Sequence, residues 1–330
     1  MYISFEYENL GNYNKAIANL KKAIELDPDN DSILYEIGYC FEVVNRTEDS
    51  IKFFLQYIDR NPYSEAAWFN LGIAYSNIEL YEKSIEANEY VIAINDGFSS
   101  AYFNKANALA NLNRFDEAIT VYEETLELED AESTTYFYIG ECYEKMANKE
   151  KAMYYYKKAV ELDDSFSEAW MGIGSIHEED GNAKEALFYM RKAVDSDPLN
   201  PNFWYMLGDV QYNLELISDA LESYSKVIEI SPEIPEIWLD YSDAYFELEE
   251  KEKAIESIIK GIEEAGRNAS LLYRLAAYLF KTGKDAQAFL HLEDALNMDH
   301  EKHKELAEYA PELMSDSRIT GLIELYSNKD

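Results

Sequence analysis

With 330 residues and 65 acidic against 29 basic side chains, the chain carries a formal charge of −36 and a pI near 4.3. That balance excludes a generic nucleic-acid binder, because a phosphate backbone would meet acid and not lysine. Hydrophobic residues at 47% and aromatics at 14% mark a folding chain and not a solvating acidic tail, and no apolar run approaches the ~18 residues needed to cross a bilayer. Two cysteines, and a start (Met1 to Glu6) with neither a basic stretch nor an apolar run ending in small residues, lead us to expect a cytoplasmic location.

Self-comparison sets the architecture. Trp68, Trp170, Trp204 and Trp238 are separated by 102, 34 and 34 residues, all multiples of 34. With Trp68 counted as position 4 of its unit, the same position holds Leu34, Tyr102, Tyr136 and Leu272. A fixed period in this range overrides any ordinary fold assignment. In chain order the units are a partial repeat at 1–30, then 31–64, 65–98, 99–132, 133–166, 167–200, 201–234, 235–268 and 269–302, followed by a closing segment at 303–330. Position 8 is small in every unit, running Ser4, Gly38, Gly72, Ala106, Gly140, Gly174, Gly208, Ser242 and Ala276, and position 20 is small from Ala16 to Ala288. Small residues on two successive helices let those helices approach closely.

Within each unit apolar residues recur at three and four, as in Trp204-x-x-Leu207-Gly208 and Ala220-Leu221-x-x-Tyr224-x-x-Val227, which predicts two antiparallel helices joined by a short turn. Gly11, Gly181 and Gly283 punctuate that turn, where a residue with φ > 0 is needed. Pro28, Pro62, Pro198 and Pro232 end second helices, and Pro201 and Pro235 open the first helices that follow. Strand signals are absent. In the closing segment Leu306, Tyr309, Leu313, Met314, Ile319, Leu322, Ile323 and Tyr326 lie among charges and read as one or two capping helices. At the other end Met1 falls at position 5 of a first helix without its opening turn, which reads as a truncated chain or a frayed first repeat.

This pattern resembles the tetratricopeptide repeat, whose signature runs aromatic, Leu-Gly, Tyr, Ala, aromatic, Ala, Pro; it stands here as Trp68-Leu71-Gly72-Tyr75 and Ala152-Tyr156-Ala159 and covers residues 1 to about 302. Asn61-Pro62-Tyr63-Ser64 and Tyr102-Phe103-Asn104-Lys105 are similar to phrases in long bacterial members of the family. Asp96, Asp130 and Asp164 replace the family's proline and Gly261 its second-helix alanine, so helix ends are expected to depart locally there. The resemblance implies an all-α fold, a right-handed superhelical solenoid of nine helix-turn-helix repeats with first helices lining the concave side, plus C-terminal capping helices. It also implies a non-catalytic scaffold that needs no cofactor.

In the family, positions 2, 5, 6, 9, 12 and 13 of each first helix face the groove. Position 5 gives an apolar ladder that includes Phe69, Phe103, Phe137 and Tyr205, which either anchors a bound peptide or packs against the next repeat. Repeats 3 and 4 add Asn70, Asn77, Asn104, Asn107 and Asn111, side-chain amides whose paired donor and acceptor suit the backbone of an extended peptide. From repeat 5 to repeat 8 the face turns acidic, with Glu141, Glu144, Glu168, Glu178, Glu179, Asp209, Glu236, Asp240, Asp243 and Glu247, opposed only by Lys145. One sign of charge on a wall favours a basic segment, although a chain of this charge has acid on every surface. The basic residues needed to clamp acidic chaperone tails are missing from these positions, Arg274 excepted, so no such binding is expected. Lys105 stands where the other complete repeats have an apolar residue and is expected to snorkel to the rim or to hold ligand carbonyls.

Other chemistry is weakly signalled. Cys40 and Cys142, both at position 10, read as packing residues, and His300-x-x-His303 offers only two metal ligands. Asp27-x-Asp29-x-Asp31 starts like a calcium loop but has Ser32 for the needed glycine and Gly38 at the twelfth place. Gly172-Ile173-Gly174-Ser175 lies mid-helix without the strand or lysine of a phosphate loop. The expected function is therefore a protein-protein interaction scaffold gripping an extended or helical peptide, basic segments included, with no metal, nucleic acid or membrane. The alternative is the partner-recognition part of a larger enzyme or regulator.

Overall fold

The computed structural model describes residues 2–28, 30–128 and 132–327, so Met1, Asp29 and Asp130 lie outside the described residues. The chain divides into two compact units, Met1–Asp164 and Ser165–Asp330. The first holds α1 (Tyr2–Asn9), α2 (Tyr13–Leu26), α3 (Asp31–Val43), α4 (Thr47–Ile58), α5 (Glu65–Ser76), α6 (Tyr81–Ile94), α7 (Ser99–Asn111), α8 (Phe115–Leu128), α9 (Ser133–Lys145) and α10 (Lys149–Leu162). The second holds α11 (Ser167–Glu179), α12 (Ala183–Ser196), α13 (Pro201–Asn213), α14 (Ile217–Ile230), α15 (Pro235–Glu247), α16 (Lys251–Glu264), α17 (Ala269–Lys281), α18 (Asp285–Met298), α19 (His303–Tyr309) and α20 (Ser317–Ser327), with 3₁₀ turns at His300–Lys302 and Pro311–Ser315. The described fold is all-α.

The 34-residue period reappears as one repeated helix stop. Gly11, Asn45, Glu79, Asn113, Ala147, Gly181, Glu215, Glu249 and Gly283, all at position 15, are left-handed, with φ between 51° and 76°. Around each, the next N–H reaches back five residues, as in Arg46 N–H to Phe41 O at 3.0 Å and Leu216 N–H to Gln211 O at 2.9 Å, while the left-handed residue bonds three residues back. This is the Schellman arrangement, which satisfies the last carbonyls of the first helix and reverses the chain. The sequence marks it with glycine in only three places; elsewhere packing imposes it on ordinary side chains.

Packing follows the small residues. Position 20 is buried in every repeat, and position 8 in every repeat but one, Gly38 being half-exposed. Each first helix packs on its second helix, and α2, α4, α6 and α8 in the first unit, like α12, α14 and α16 in the second, pack on the first helix that follows. A second lock joins units: the indole N–H of Trp68, Trp204 and Trp238 donates to the carbonyl of Pro62, Pro198 and Pro232 at 2.9, 2.9 and 2.8 Å. Tyr102 O–H makes the same bond to Asp96 O at 3.1 Å, so aspartate serves where the family has proline and α6 ends as its counterparts do. Gly261 is explained by its neighbour, since a Cβ there would lie 2.6 Å from Cγ of the fully buried Trp238. At the C-terminal end α19 packs on α17 and α20 on α18, burying Leu306, Ile319, Ile323 and Tyr326 against Leu292 and Leu296.

Candidate functional site

The first-helix face of the first unit carries the amide residues, and the fold has already committed several of them. Asn70 is buried, donates from Nδ2 to Ala66 O at 2.7 Å and packs its Oδ1 against Gly38. In other repeats that place beside position 8 is taken by the second-helix side chain at position 24, such as Tyr156 or Tyr224. Here Asn70 itself takes that place, and a pocket of about 180 Å³ opens beside it, lined among others by Tyr35, Gly38, Ser50, Phe69 and Asn77. Asn107 accepts a short hydrogen bond from Tyr122 O–H, and Asn111 spends a donor on Asn107 O at 2.8 Å. Asn77, exposed, and Asn104, half-buried, make no side-chain hydrogen bond among the described residues. Asn104 lines a 270 Å³ cleft with Phe103, Thr125, Glu132 and Thr135.

The position-5 aromatics form a seam. Phe69 meets Tyr35 and Phe98 edge-on at 6.1 and 5.0 Å, Phe103 meets Tyr122 and Tyr138 at 5.6 Å each, and Phe137 meets Tyr138 and Tyr156 at 5.5 and 5.6 Å. Each stays half-buried and leaves part of its ring on the face. Glu141 is half-buried nearby, and Tyr156 O–H donates to Glu144 at 2.5 Å. Lys105 points away from the face and pairs with Glu89 of α6 at 2.8 Å, its side chain 23% exposed. That is the snorkelling geometry.

In the second unit the same face is a carboxylate and phenol network. Tyr224 O–H donates to Asp209 at 2.8 Å, Tyr205 O–H makes a short bond to Asp240, and Tyr278 O–H donates to Asp243 at 2.5 Å. Arg274 also bonds Asp243 and stacks on Tyr309 of α19, 3.9 Å from its ring centroid. The expectation that only Lys145 opposes the acids is thus corrected: Arg274, one repeat further on, neutralises Asp243. Among the described residues Glu178, Asp209 and Asp240 make no such ion pair. They sit 31 residues apart, one on each of α11, α13 and α15, and so form a row that shifts by about one helical turn from helix to helix. Burial raises the carboxyl of Asp240 to about 6, with the charges of Asp209 and Asp243 adding to it against the Tyr205 hydrogen bond and Arg274. Glu178 is also raised, by burial and then by Asp209 and Glu179, and Asp209 by burial.

Sequence reasoning missed the tyrosines that organise this face. Tyr122, Tyr156 and Tyr224 all stand at position 24 and deliver the hydroxyl to the first helix, the rings of Tyr156 and Tyr224 crossing beneath position 8; a Cβ on Gly208 would lie 2.5 Å from the Tyr224 ring. The signal was present as tyrosine at one repeat position opposite a glycine or alanine. Cys40 and Cys142 are free, buried thiols, both pushed up to about 12 chiefly by burial. The His303 ring is spent on the His300 carbonyl at 2.7 Å. Among the described residues no group of three or more His, Cys, Asp or Glu could hold a metal ion, and no helix is long and apolar enough to cross a membrane.

Tetratricopeptide repeat family models match residues 6–42, 98–165, 167–198 and, in two overlapping segments, 189–235 and 205–266, together more than half of the chain. Among solved structures, the C-terminal part of a tetratricopeptide repeat-containing protein from Cytophaga hutchinsonii is 20% identical, with a TM-score of 0.59 over 77% of this chain and 98% of that one. The Cut9–Hcn1 hetero-tetramer of the APC/C is 16% identical, with a TM-score of 0.54 over 81% of this chain and 52% of that chain, so the match spans about half of it. No curated protein matches the sequence. Helix pairing, period and turn geometry agree with these models, and the chain belongs to the tetratricopeptide repeat family of protein-interaction scaffolds.

Proposed function

We propose that the first-helix faces hold an extended or helical segment of a partner protein, and that the face of the second unit selects a basic one. The observation that carries the preference is the row Glu178, Asp209 and Asp240, three carboxylates with no ion pair among the described residues, whose raised carboxyls record burial and, for Glu178 and Asp240, repulsion from neighbouring acids. Lysine or arginine laid along that row would relieve the repulsion and supply the counter-charge that offsets burial. Packed helix axes stand ~8–10 Å apart, and an extended chain rises ~3.3 Å per residue, so basic residues at about every third position fit best. In the first unit, Asn77 and Asn104 supply uncommitted amides beside the half-exposed rings of Phe69 and Phe103, which suits backbone contacts tolerant of sequence.

Fluorescence anisotropy with defined labelled peptides tests this. A peptide with lysine at every third position should bind, weaken steeply between low and moderate salt, and lose about tenfold or more in affinity with Asp209→Asn/Asp240→Asn. A glutamate counterpart binding equally well, or the variant binding like wild type, would end the basic-partner reading.

A further inference from the structure

A second recognition surface lies on the other side of the first unit, between the second helices α2 and α4. A cleft of about 550 Å³ opens there, walled by Ile24, Pro28, Phe53 and Tyr57 and carrying Lys21 from α2 and Arg60 from the turn after α4. The Lys21 ammonium is half-buried under two rings, 4.6 Å from the centroid of Phe53 and 4.8 Å from that of Phe41. Among the described residues neither Lys21 nor Arg60 has a carboxylate within ion-pair distance, in a chain with more than two acids for every base. Other cations of this unit that are half-buried or pinned beside an acid do have one: Arg46 takes Asp49 at 2.6 Å, Arg114 takes Glu117 at 2.6 Å and Lys105 takes Glu89. Asp49, whose charge reaches Lys21, is thereby spent on Arg46, which itself lies over Phe41 and crowds Lys21 with a like charge. Burial and that neighbour both push the Lys21 ammonium down from its ordinary value.

The cleft is also held open. Tyr57 O–H donates to Pro28 O at 2.5 Å and pins the turn after α2 to α4, so the walls stand at fixed distance before anything enters. Among the described lining residues one carboxylate, Glu25, stands against Lys21 and Arg60 and leaves an excess of one positive charge. The corresponding cleft between α14 and α16 has no excess, since Glu229 and Glu256 match Lys253 and Lys260. A half-buried cation without a counter-ion is a poor arrangement for stability alone and a good one for an anion that brings its own apolar surface.

We propose that the α2–α4 cleft binds an oxyanion carried on an aromatic body, Arg60 and Lys21 gripping the anion and Phe53 and Tyr57 the ring. The ring lies against the wall formed by Ile24 and Phe53, and the oxyanion replaces the carboxylate partner that neither cation has. This site is independent of the first-helix faces. Titration of the full chain with phenyl phosphate, followed by backbone amide NMR, should give saturable shifts confined to the C-terminal halves of α2 and α4 and the turns after them. Inorganic phosphate, which lacks the ring, and benzyl alcohol, which lacks the charge, should each bind at least about tenfold more weakly. Lys21→Met and Arg60→Met should each weaken phenyl phosphate about tenfold with the helical spectrum and unfolding cooperativity retained, Lys21→Gln serving if the methionine repacks the core. Benzyl alcohol or inorganic phosphate binding as well as phenyl phosphate, a double variant binding like wild type, or no saturable shift at all would overturn the assignment.

Discussion

Asp240→Asn should stabilise the protein at neutral pH, although it removes the acceptor charge of a buried hydrogen bond. The folded carboxyl sits near 6 against an ordinary value of 3.8, a difference of about 2 units or ~3 kcal/mol at 1.36 kcal/mol per unit. Residual exposure and salt reduce that ceiling to about 1–2 kcal/mol at ~0.15 M. The sign follows from proton binding: between pH 4 and 6 the folded protein holds a proton that the unfolded chain has released. Asp240 therefore contributes most stability below the ordinary value, and the contribution is lost as pH rises through 6. Asparagine retains an oxygen for the Tyr205 hydroxyl and cannot ionise. Urea unfolding of wild type and variant at pH 7.5 and at pH 4.5 reads the difference directly. The variant should lead at pH 7.5 and the gap should shrink to about a third at pH 4.5. A less stable variant at pH 7.5, or a gap of equal size at both, would refute burial of the charge as the cause.

Three other perturbations test the fold. Ala147→Gly and Glu249→Gly replace side chains held at φ 57° and 60°; each should raise stability by ~0.5–1 kcal/mol, less at Asn45 or Asn113 because asparagine tolerates that region, as measured by denaturant midpoint. Gly261→Ala restores the residue the family prefers yet should destabilise by about 1–2 kcal/mol, since its methyl meets Trp238 near the backbone, where the ring has no room to yield; a gain would show that Trp238 can shift. Raising salt from low ionic strength toward ~0.15 M should raise the melting temperature, because 36 excess negative charges repel within one folded chain, and a flat response would mean that the acids are already dispersed enough not to interact.

The all-α fold was legible in the sequence because the period is carried by residues whose role depends on size. The small side chains at positions 8 and 20 must be small for two helices to touch, and nearly all of them are buried. The turns were half-legible for the converse reason. A left-handed stop is announced by glycine, but helix pairing enforces the same geometry on Glu79, Glu215 and Glu249 at a local cost. Functional residues were least legible, because a face assignment gives direction and not engagement. Asn70 and Asn107 lie where the repeat puts them, yet the packing beside Gly38 and the Tyr122 hydroxyl occupy them. Arg274 stands alone in sequence and becomes the counter-ion of Asp243 only when α15 and α17 stack.

The two units thus weight polar groups on their first-helix faces differently, although the Tyr156–Glu144 pair of the first already has the form that prevails in the second. In the first, amides pair with a phenol and with backbone, and of Asn70, Asn77, Asn104, Asn107 and Asn111 only Asn77 and Asn104 stay uncommitted among the described residues. In the second, each of Asp209, Asp240 and Asp243 receives a tyrosine hydroxyl, which supplies a hydrogen bond without supplying charge. A neutral donor fixes a carboxylate in place and leaves its repulsion from the next one standing, whereas the arginine at Asp243 removes it. The energy left in the row is therefore set by where a cation is absent. A ligand cation placed there recovers it on binding, so the residues that reduce the stability of the free protein are the ones that would make a basic partner bind tightly.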